Sequence, residues 1–369
     1  MVAVSRSFAG TLFGQYPPGD ILTIRLPLAI LLVLPLFAPM LLPTSSLLSL
    51  AITAAIFLIV ANGLHVIFGY AGQLSLAHTT LWGLGAYTAA LLTIHYGWPT
   101  AALIPAAGFV GAVGAVAIGI PAFRTAGFSF AIMTFAFAEI MLLVGKNWTS
   151  LTNGTTGLTV LSPASSIGSI QFDKFDHLTN FYYLTLAFAY LSLVGIFLIR
   201  QSSLGRTLIA IRENESLARS VGINVYLYKL IAFAISGFFA GVAGVFFMYH
   251  FRHIEPGQMS PFGAFLTIQF LLMILIGGRF SMLGPTIGAV IAVFAPKVIN
   301  ALLGITPLDD LSPARIQIIF GSALVLTVLF SPNGVVGQAK TRYGALAAAL
   351  QRFRERQGSA APPGAAAGG

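Results

Sequence analysis

The chain contains no cysteine, which excludes disulfides, thiolate nucleophiles and cysteine-ligated metals. Charge is nearly as scarce: Asp, Glu, Lys and Arg make up 8% of the 369 residues, against about a quarter in a soluble domain. A globular water-soluble protein is therefore excluded. Missing too are the GxxxxGK[ST] phosphate loop, the HExxH pair and the GxSxG elbow, so the chain carries no P-loop nucleotide site and none of the common hydrolase sites. No catalytic residue and no metal site emerges, and no cofactor is expected to be bound by this chain. His250 and His253, flanking Arg252, suit packing at a membrane edge better than a metal.

What is present is apolar: 57% of the residues are hydrophobic and the mean hydropathy is +0.90. The apolar runs are close to the roughly 20 residues that a helix needs to cross the hydrocarbon core, and twice the length of barrel strands. The fold class is all-α, a polytopic membrane helical bundle of about ten transmembrane helices. The spans read as 24–42, 47–68, 76–94, 100–122, 127–144, 180–199, 230–250, 262–276, 282–303 and 313–330. Pro27, Pro35 and Pro39 predict a kinked first span, because a bilayer helix tolerates proline only where neighbours satisfy the freed carbonyls. The N-terminal stretch is too polar for the apolar core of a signal peptide, so insertion is expected to use the first span.

Cytoplasmic loops carry the Lys and Arg excess, and ten spans with both termini cytoplasmic satisfy that rule. This arrangement places Arg6, Arg25, Arg124, Arg200, Arg206, Arg212, Arg219, Lys229, Arg279 and the basic tail from Lys340 to Arg356 inside. Lys146, Lys174, Arg252, Lys297 and Arg315 fall outside. The expected organisation is a cytoplasmic N-terminal segment (1–23), a transmembrane domain (24–331) and a mostly disordered, low-complexity cytoplasmic tail (332–369). The polar external loop 145–179 reads either as a docking surface or as a solvated loop. The net charge of +9 is spread singly between spans, which argues for membrane orientation and against nucleic acid.

Three features interrupt the apolar pattern. In Gly69–His78 two glycines and the polar side chains of Gln73, Ser75 and His78 break an otherwise continuous run. Irregular backbone at membrane depth is tolerated against protein or a water-filled cavity, so the segment reads as a broken or re-entrant helix near 69–78 beside a pathway, or as a simple helix end. Glu139 lies within the fifth span, where an ionised side chain costs about 2.5 to 3.5 kcal/mol on insertion scales. It must face the interior or be paired, as a pathway residue or as a structural hydrogen bond. Small-residue spacings such as Gly111-x-x-Gly114 and Gly237-x-x-x-Gly241-x-x-Gly244 predict close helix packing.

The third feature is the charged segment 200–229. Glu215 follows Arg212 by three residues and precedes Arg219 by four, both helical neighbour spacings. One or two short helices ending near Gly222, a good C-terminal residue, fit better than one long helix, since Glu215 interrupts the stripe of Leu204, Leu208, Ile211 and Ala218. A solvated loop or a helix on anionic lipid is the competing reading, which the mixed charges oppose.

Several blocks together resemble one family. Gly69 to Leu92, GYAGQLSLAHTTLWGLGAYTAALL, and Thr134 to Gly157, TFAFAEIMLLVGKNWTSLTNGTTG, are similar to two blocks of the permease subunits of ATP-binding-cassette importers for branched-chain amino acids. So are the cytoplasmic block from Gly205 to Phe233, the IGGRFSMLGP of Ile276 to Pro285 and the FSPNG of Phe330 to Gly334. The likeness is greater to the larger of the two permease types. It implies a subunit without its own ATPase site, in the cytoplasmic (inner) membrane of a bacterium or archaeon. The implied partners are a second related permease, two cytoplasmic ATP-binding subunits that use ATP, an extracytoplasmic substrate-binding protein and membrane lipid. By the same resemblance Arg212, Glu213, Glu215, Arg219 and Gly222 form the surface that meets the ATPase, and Gln73, Ser75, His78 and Glu139 are candidates for the substrate pathway. The chain departs from the family pattern at Asn153, usually glycine, at Leu142, often arginine, and at Arg279-Phe280, usually a smaller pair. Arg279 also occurs in related urea importers, which leaves a permease for urea or short amides as one alternative; Glu139 and His78 could suit proton coupling, which leaves an ion-coupled secondary transporter as another. Ten spans would suit an inverted repeat, but the similar GQLS at Gly72 and GRFS at Gly278 fall on one side of the membrane and do not support it.

Overall fold

The computed structural model describes residues 33–41, 44–125, 127–160, 166–167, 170–171, 178–257, 262–303 and 334. It is an all-α membrane bundle. The long helices are α1 (Ser45–His65), α2 (His78–Tyr96), α3 (Thr100–Ala122), α4 (Phe128–Asn147) and α5 (Leu178–Gln201). Two short helices follow, α6 (Ser203–Glu213) and α7 (Glu215–Ser220), before α8 (Val225–Phe251), α9 (Ala264–Gly277) and α10 (Gly284–Leu303). Five of these segments, α1 with its C-terminal extension, α3, α4, α5 and α8, are long and apolar enough to cross a membrane. The second to ninth expected spans each coincide with one helix. Of the first span only the C-terminal part is described: a 3-10 turn at Leu34–Phe37, around Pro35, leads into the helical turn Ala38–Leu41. The expected tenth span, the N-terminal segment and the tail lie outside the described residues, Gly334 excepted.

The core is built around α8, which packs on α3, α2 and α1. Lipid tails are as apolar as leucine, so helices associate in a bilayer by close packing, and α8 meets its neighbours through glycine. A Cβ on Gly237 would lie 2.6 Å from the Ala115 Cβ, and one on Gly244 2.5 Å from the Trp82 carbonyl. On the facing helix a Cβ at Gly111 would lie 3.0 Å from the Gly241 Cα. Gly111, Gly237, Gly241 and Gly244 are thus packing residues, as their spacing predicts, whereas Gly114 only approaches Leu84 and Leu81. Polar cross-links add direction. Ser236 donates to the Gly63 carbonyl at 2.6 Å, Asn62 to Ser192 at 2.8 Å, Thr79 and Thr267 lie 2.8 Å apart, and Thr100 and Tyr249 2.5 Å apart.

Two helix starts differ from expectation. The seventh span begins at Val225 and not near 230, because Asn224 caps it, its side chain accepting from the Leu227 N–H at 3.1 Å. Lys229 is therefore a helical residue and not part of a loop. The third span begins at His78 and not at 76, because residues 71–77 are irregular.

At the opposite end of the bundle, Thr152 donates to the Gly145 carbonyl at 2.6 Å, β1 (Leu158–Thr159) pairs antiparallel with β4 (His253–Ile254), and β2 (Ser166–Ile167) pairs antiparallel with β3 (Ile170–Gln171). Asn153 has φ 61°, the left-handed region that favours glycine and admits asparagine, which explains both the usual glycine and its replacement here. Lys174, Asp173 and Asp176 lie outside the described residues. His250 sits 3.1 Å from Ser49, and His253 2.9 Å from Thr159, both in packing roles.

Candidate coupling surface and pathway residues

The interruption at 69–78 is a break between two helices. The last turn of α1 widens into a π turn at Val66–Tyr70, closed by the Ala71 N–H on the Val66 carbonyl at 3.3 Å. Gly72 then turns the chain with φ +70°, a conformation that glycine adopts without strain. The backbone freed by the break finds partners: Gln73 N–H donates to the Ile67 carbonyl at 3.0 Å, and Leu76 N–H to the Thr134 hydroxyl of α4 at 3.0 Å. Ser75 is buried and receives the Ala77 N–H at 3.4 Å; Gln73 is half-buried. His78 is fully buried, its Nε2 3.2 Å from the Ser236 hydroxyl. Because Ser236 spends its one proton on the Gly63 carbonyl, His78 donates from Nε2. The imidazole thus ties the start of α2 to α8 and, through Ser236, to α1.

Three of the four candidate pathway residues, Gln73, Ser75 and His78, are together in this segment. Glu139 is not with them. It lies on α4 one and a half turns beyond Thr134, on the opposite side of that helix, half-exposed. Among the described residues the Glu139 carboxylate makes no ion pair or hydrogen bond, and it points away from the side of α4 that packs on the bundle.

The charged segment folds as two capped helices. The Ser202 hydroxyl accepts the Gly205 N–H at 3.3 Å and starts α6; Asn214 (φ −156°, ψ 103°) stops it and caps α7 by accepting the Leu217 N–H at 2.9 Å. Gly222, with φ +85°, ends α7. Ile211, Ala218 and Val225 form a small apolar core under this turn. The predicted neighbour pair Arg212–Glu215 does not form, because the break at Asn214 puts the two on different helices. Glu215 bonds instead to Arg219, four residues on, and to Lys229 of α8, each at 2.6 Å. Burial raises the Glu215 pKa, but the hydrogen bonds and charges of Lys229 and then Arg219 outweigh it, and the carboxyl is held below its ordinary value of 4.5.

Arg212 is the node of the assembly. Its Nη1 donates to the Gly69 carbonyl in the π turn at 2.6 Å, its Nη2 to Glu213 at 2.6 Å, and its guanidinium lies 4.7 Å from the centre of the Phe280 ring. Arg279 stacks on the same ring at 4.4 Å. The GQLS and GRFS segments therefore meet at one end of the bundle, bridged by Arg212, and Gly334 packs against Gly278 beside them. This surface offers outward the apolar tips Leu217 and Val221, 62% and 69% exposed, beside the paired but exposed side chains of Glu213 and Arg219. Spacing rules did not single these two out; their only signal was apolar side chains in a polar segment. Lys229 and Phe280 were missed because their partners are remote in sequence.

A cavity of about 310 Å³ between α1, α5 and α10, lined by residues such as Leu58, Leu186 and Phe294, is nearly devoid of polar groups and does not suit a zwitterion.

The matching family model, described as the permease component of a branched-chain amino acid transport system, spans residues 46–329. The chain belongs to this family. Among its relatives is the high-affinity branched-chain amino acid transport system permease protein LivM of Salmonella typhimurium, 28% identical over 78% of this chain and 69% of the relative. The permease protein LivH of Escherichia coli is 26% identical over 76% of this chain and 91% of its own length. A fructose import permease protein of Bifidobacterium longum is 30% identical over 38% of each chain. No solved structure matches. As a permease of this family the chain is a multi-pass membrane protein, and the blocks that carried the resemblance, all but the last, lie within the π turn and α2, α4 and its loop, α6 to α8, and the α9–α10 turn.

Proposed function

We propose that this chain is the LivM-like permease subunit of an ATP-binding-cassette importer for branched-chain amino acids, forming part of the translocation pathway and moving by alternating access. It crosses the inner membrane ten times with both termini cytoplasmic. It pairs with a second permease, binds two cytoplasmic ATPase subunits through α6 and α7, and receives cargo from an extracytoplasmic binding protein. Gln73, Ser75 and His78 line the inner part of the pathway. The observation that carries this reading is the Arg212 node, which joins the C-terminal end of α6, next to α7, to the π turn at the break between α1 and α2. An ATPase shifts a permease between conformations only by binding one better than the other, and a surface bonded to a helix break offers such a difference.

The test is co-purification of the complex and leucine uptake in vesicles with the binding protein present. The variants Leu217→Asp and Val221→Asp are expected to weaken ATPase association about tenfold each, roughly 1.4 kcal/mol, with the permease itself as stable as wild type. Wild-type association in both would refute the assignment of this surface. Uptake driven by an ion gradient with no ATPase present would favour a secondary transporter.

A further inference from the structure

The outward faces of three helices differ. Those of α3 and α5 are apolar along the span, with Phe109, Val113 and Ile120 on one and Leu191, Val194 and Leu198 on the other. Each is what a lipid-facing helix presents. The open face of α4 differs in carrying an acid: Phe128, Ile132, Phe135, Ile140 and Leu143 are all exposed, and at 100° per residue they cover an arc of about 140°. Glu139 falls in the middle of this arc, between Phe135 and Leu143, near mid-span and without a partner among the described residues. The opposite side, through Ala131, Thr134, Ala138 and Leu142, is buried against the bundle. Turning Glu139 inward would therefore require rotating the whole helix out of its packing.

An ionisable side chain within a span faces a bundle interior or a water-filled cavity, and here the bundle interior is behind it. The carboxylate needs a cation, and the described residues supply none. A metal is a poor candidate, since no group of three or more His, Asp or Glu gathers among the described residues.

We propose that the α4 face is a wall of the aqueous pathway and that Glu139 is the group that receives the α-ammonium of the amino-acid cargo. This rests on the importer reading above and adds to it the residue and the part of the substrate it contacts. Charge complementarity selects the ligand: a zwitterion leaving its binding protein presents one compact cation with hydrogen-bond donors, which a single carboxylate outside a metal cluster can accept.

The absence of cysteine makes a direct experiment available in the assembled complex. Glu139→Cys and, as a lipid-facing control, Phe109→Cys each introduce the only thiol of this chain, and modification by a membrane-impermeant thiol reagent is read from the mass of the chain. Cys at 139 is expected to react at least about tenfold faster than Cys at 109, and leucine with its binding protein is expected to slow it. Equal, slow reaction at both positions would overturn the proposal. Independently, Glu139→Gln is expected to assemble normally but to lower single-turnover leucine uptake roughly tenfold or more, the usual scale for losing one partner of a charge pair, with Glu139→Asp recovering part of it. Uptake within about twofold of wild type in Glu139→Gln would overturn the proposal, as would loss of the second permease from the complex, which would mark Glu139 as an intersubunit ion pair. Failure of the wild-type complex to import any branched-chain amino acid would instead overturn the importer reading, and is established before any variant is compared.

Discussion

Helices α8 and α4 are both apolar and both long enough to span a bilayer, yet 67% of the apolar window of α8 is buried against 33% of that of α4. Hydropathy does not separate them. What does is side-chain size along the contact: α8 presents Gly237, Gly241 and Gly244 where it meets α3 and α2, whereas the outward arc of α4 carries phenylalanine, isoleucine and leucine around one glutamate. In water the bulkier apolar helix would be the core. In a bilayer the helix that lets other backbones approach becomes the core, and large apolar residues are left for whatever lies outside.

The comparison can be broken most severely at its tightest point. Gly241→Leu places a side chain against the Ala107 carbonyl and the Gly108 Cα and is expected to abolish folded protein, a loss above about 3 kcal/mol by the overpacking scale. Ile132→Leu on the open face of α4 is expected to leave detergent-solubilised yield and melting temperature unchanged. A smaller contrast comes from hydroxyl removal. Ser236→Ala strands His78 Nε2 in the core and leaves the Gly63 carbonyl with its backbone partner Val66 alone, at a cost of about 1 to 3 kcal/mol, while Ser129→Ala at the exposed start of α4 is expected to stay within about 0.5 kcal/mol; thermal unfolding of the purified subunit measures both.

The smallest effect lies outside the membrane. Because Glu215 titrates below its unfolded value, the stability it contributes is complete above pH 4.5 and is lost as the pH falls through its lower folded value. Hydrogen exchange over α7 should therefore accelerate below pH 4.5 while that of α8 does not. Glu215→Gln should remove this dependence. Since Glu215 is partly solvated, the change is expected to be modest.

Much of this was legible in the chain because its causes are local. Span length, the glycine spacing of α8 and the stop of the short cytoplasmic helices at Gly222 each follow from residues within a few positions of one another, whereas the break at Asn214 was not placed. The partnership of Glu215 with Lys229 was not legible, because periodicity compares neighbours on one helix and this pair bridges two. The same holds for Arg212, whose sequence neighbours suggested Glu215 but whose bonds go to Glu213, to a backbone carbonyl and to the ring of Phe280. Glu139 shows the converse limit. Its position within a span was plain, but which side of α4 it occupies depends on the side of that helix that Ala131, Thr134, Ala138 and Leu142 bury, and no spacing rule supplies a bundle's centre.

The π turn at Val66–Tyr70 gives α1 one residue of slack. An α-helical turn in its place would wind the chain that follows onward by about 100° and advance it by about 1.5 Å. Ser75 and His78 sit directly downstream, and the carbonyl held by Arg212 belongs to the turn itself. A tug of ångström size on one guanidinium is thus enough, in principle of geometry, to re-aim two polar side chains deep in the bundle by a large angle: a screw thread, converting a short axial pull into rotation.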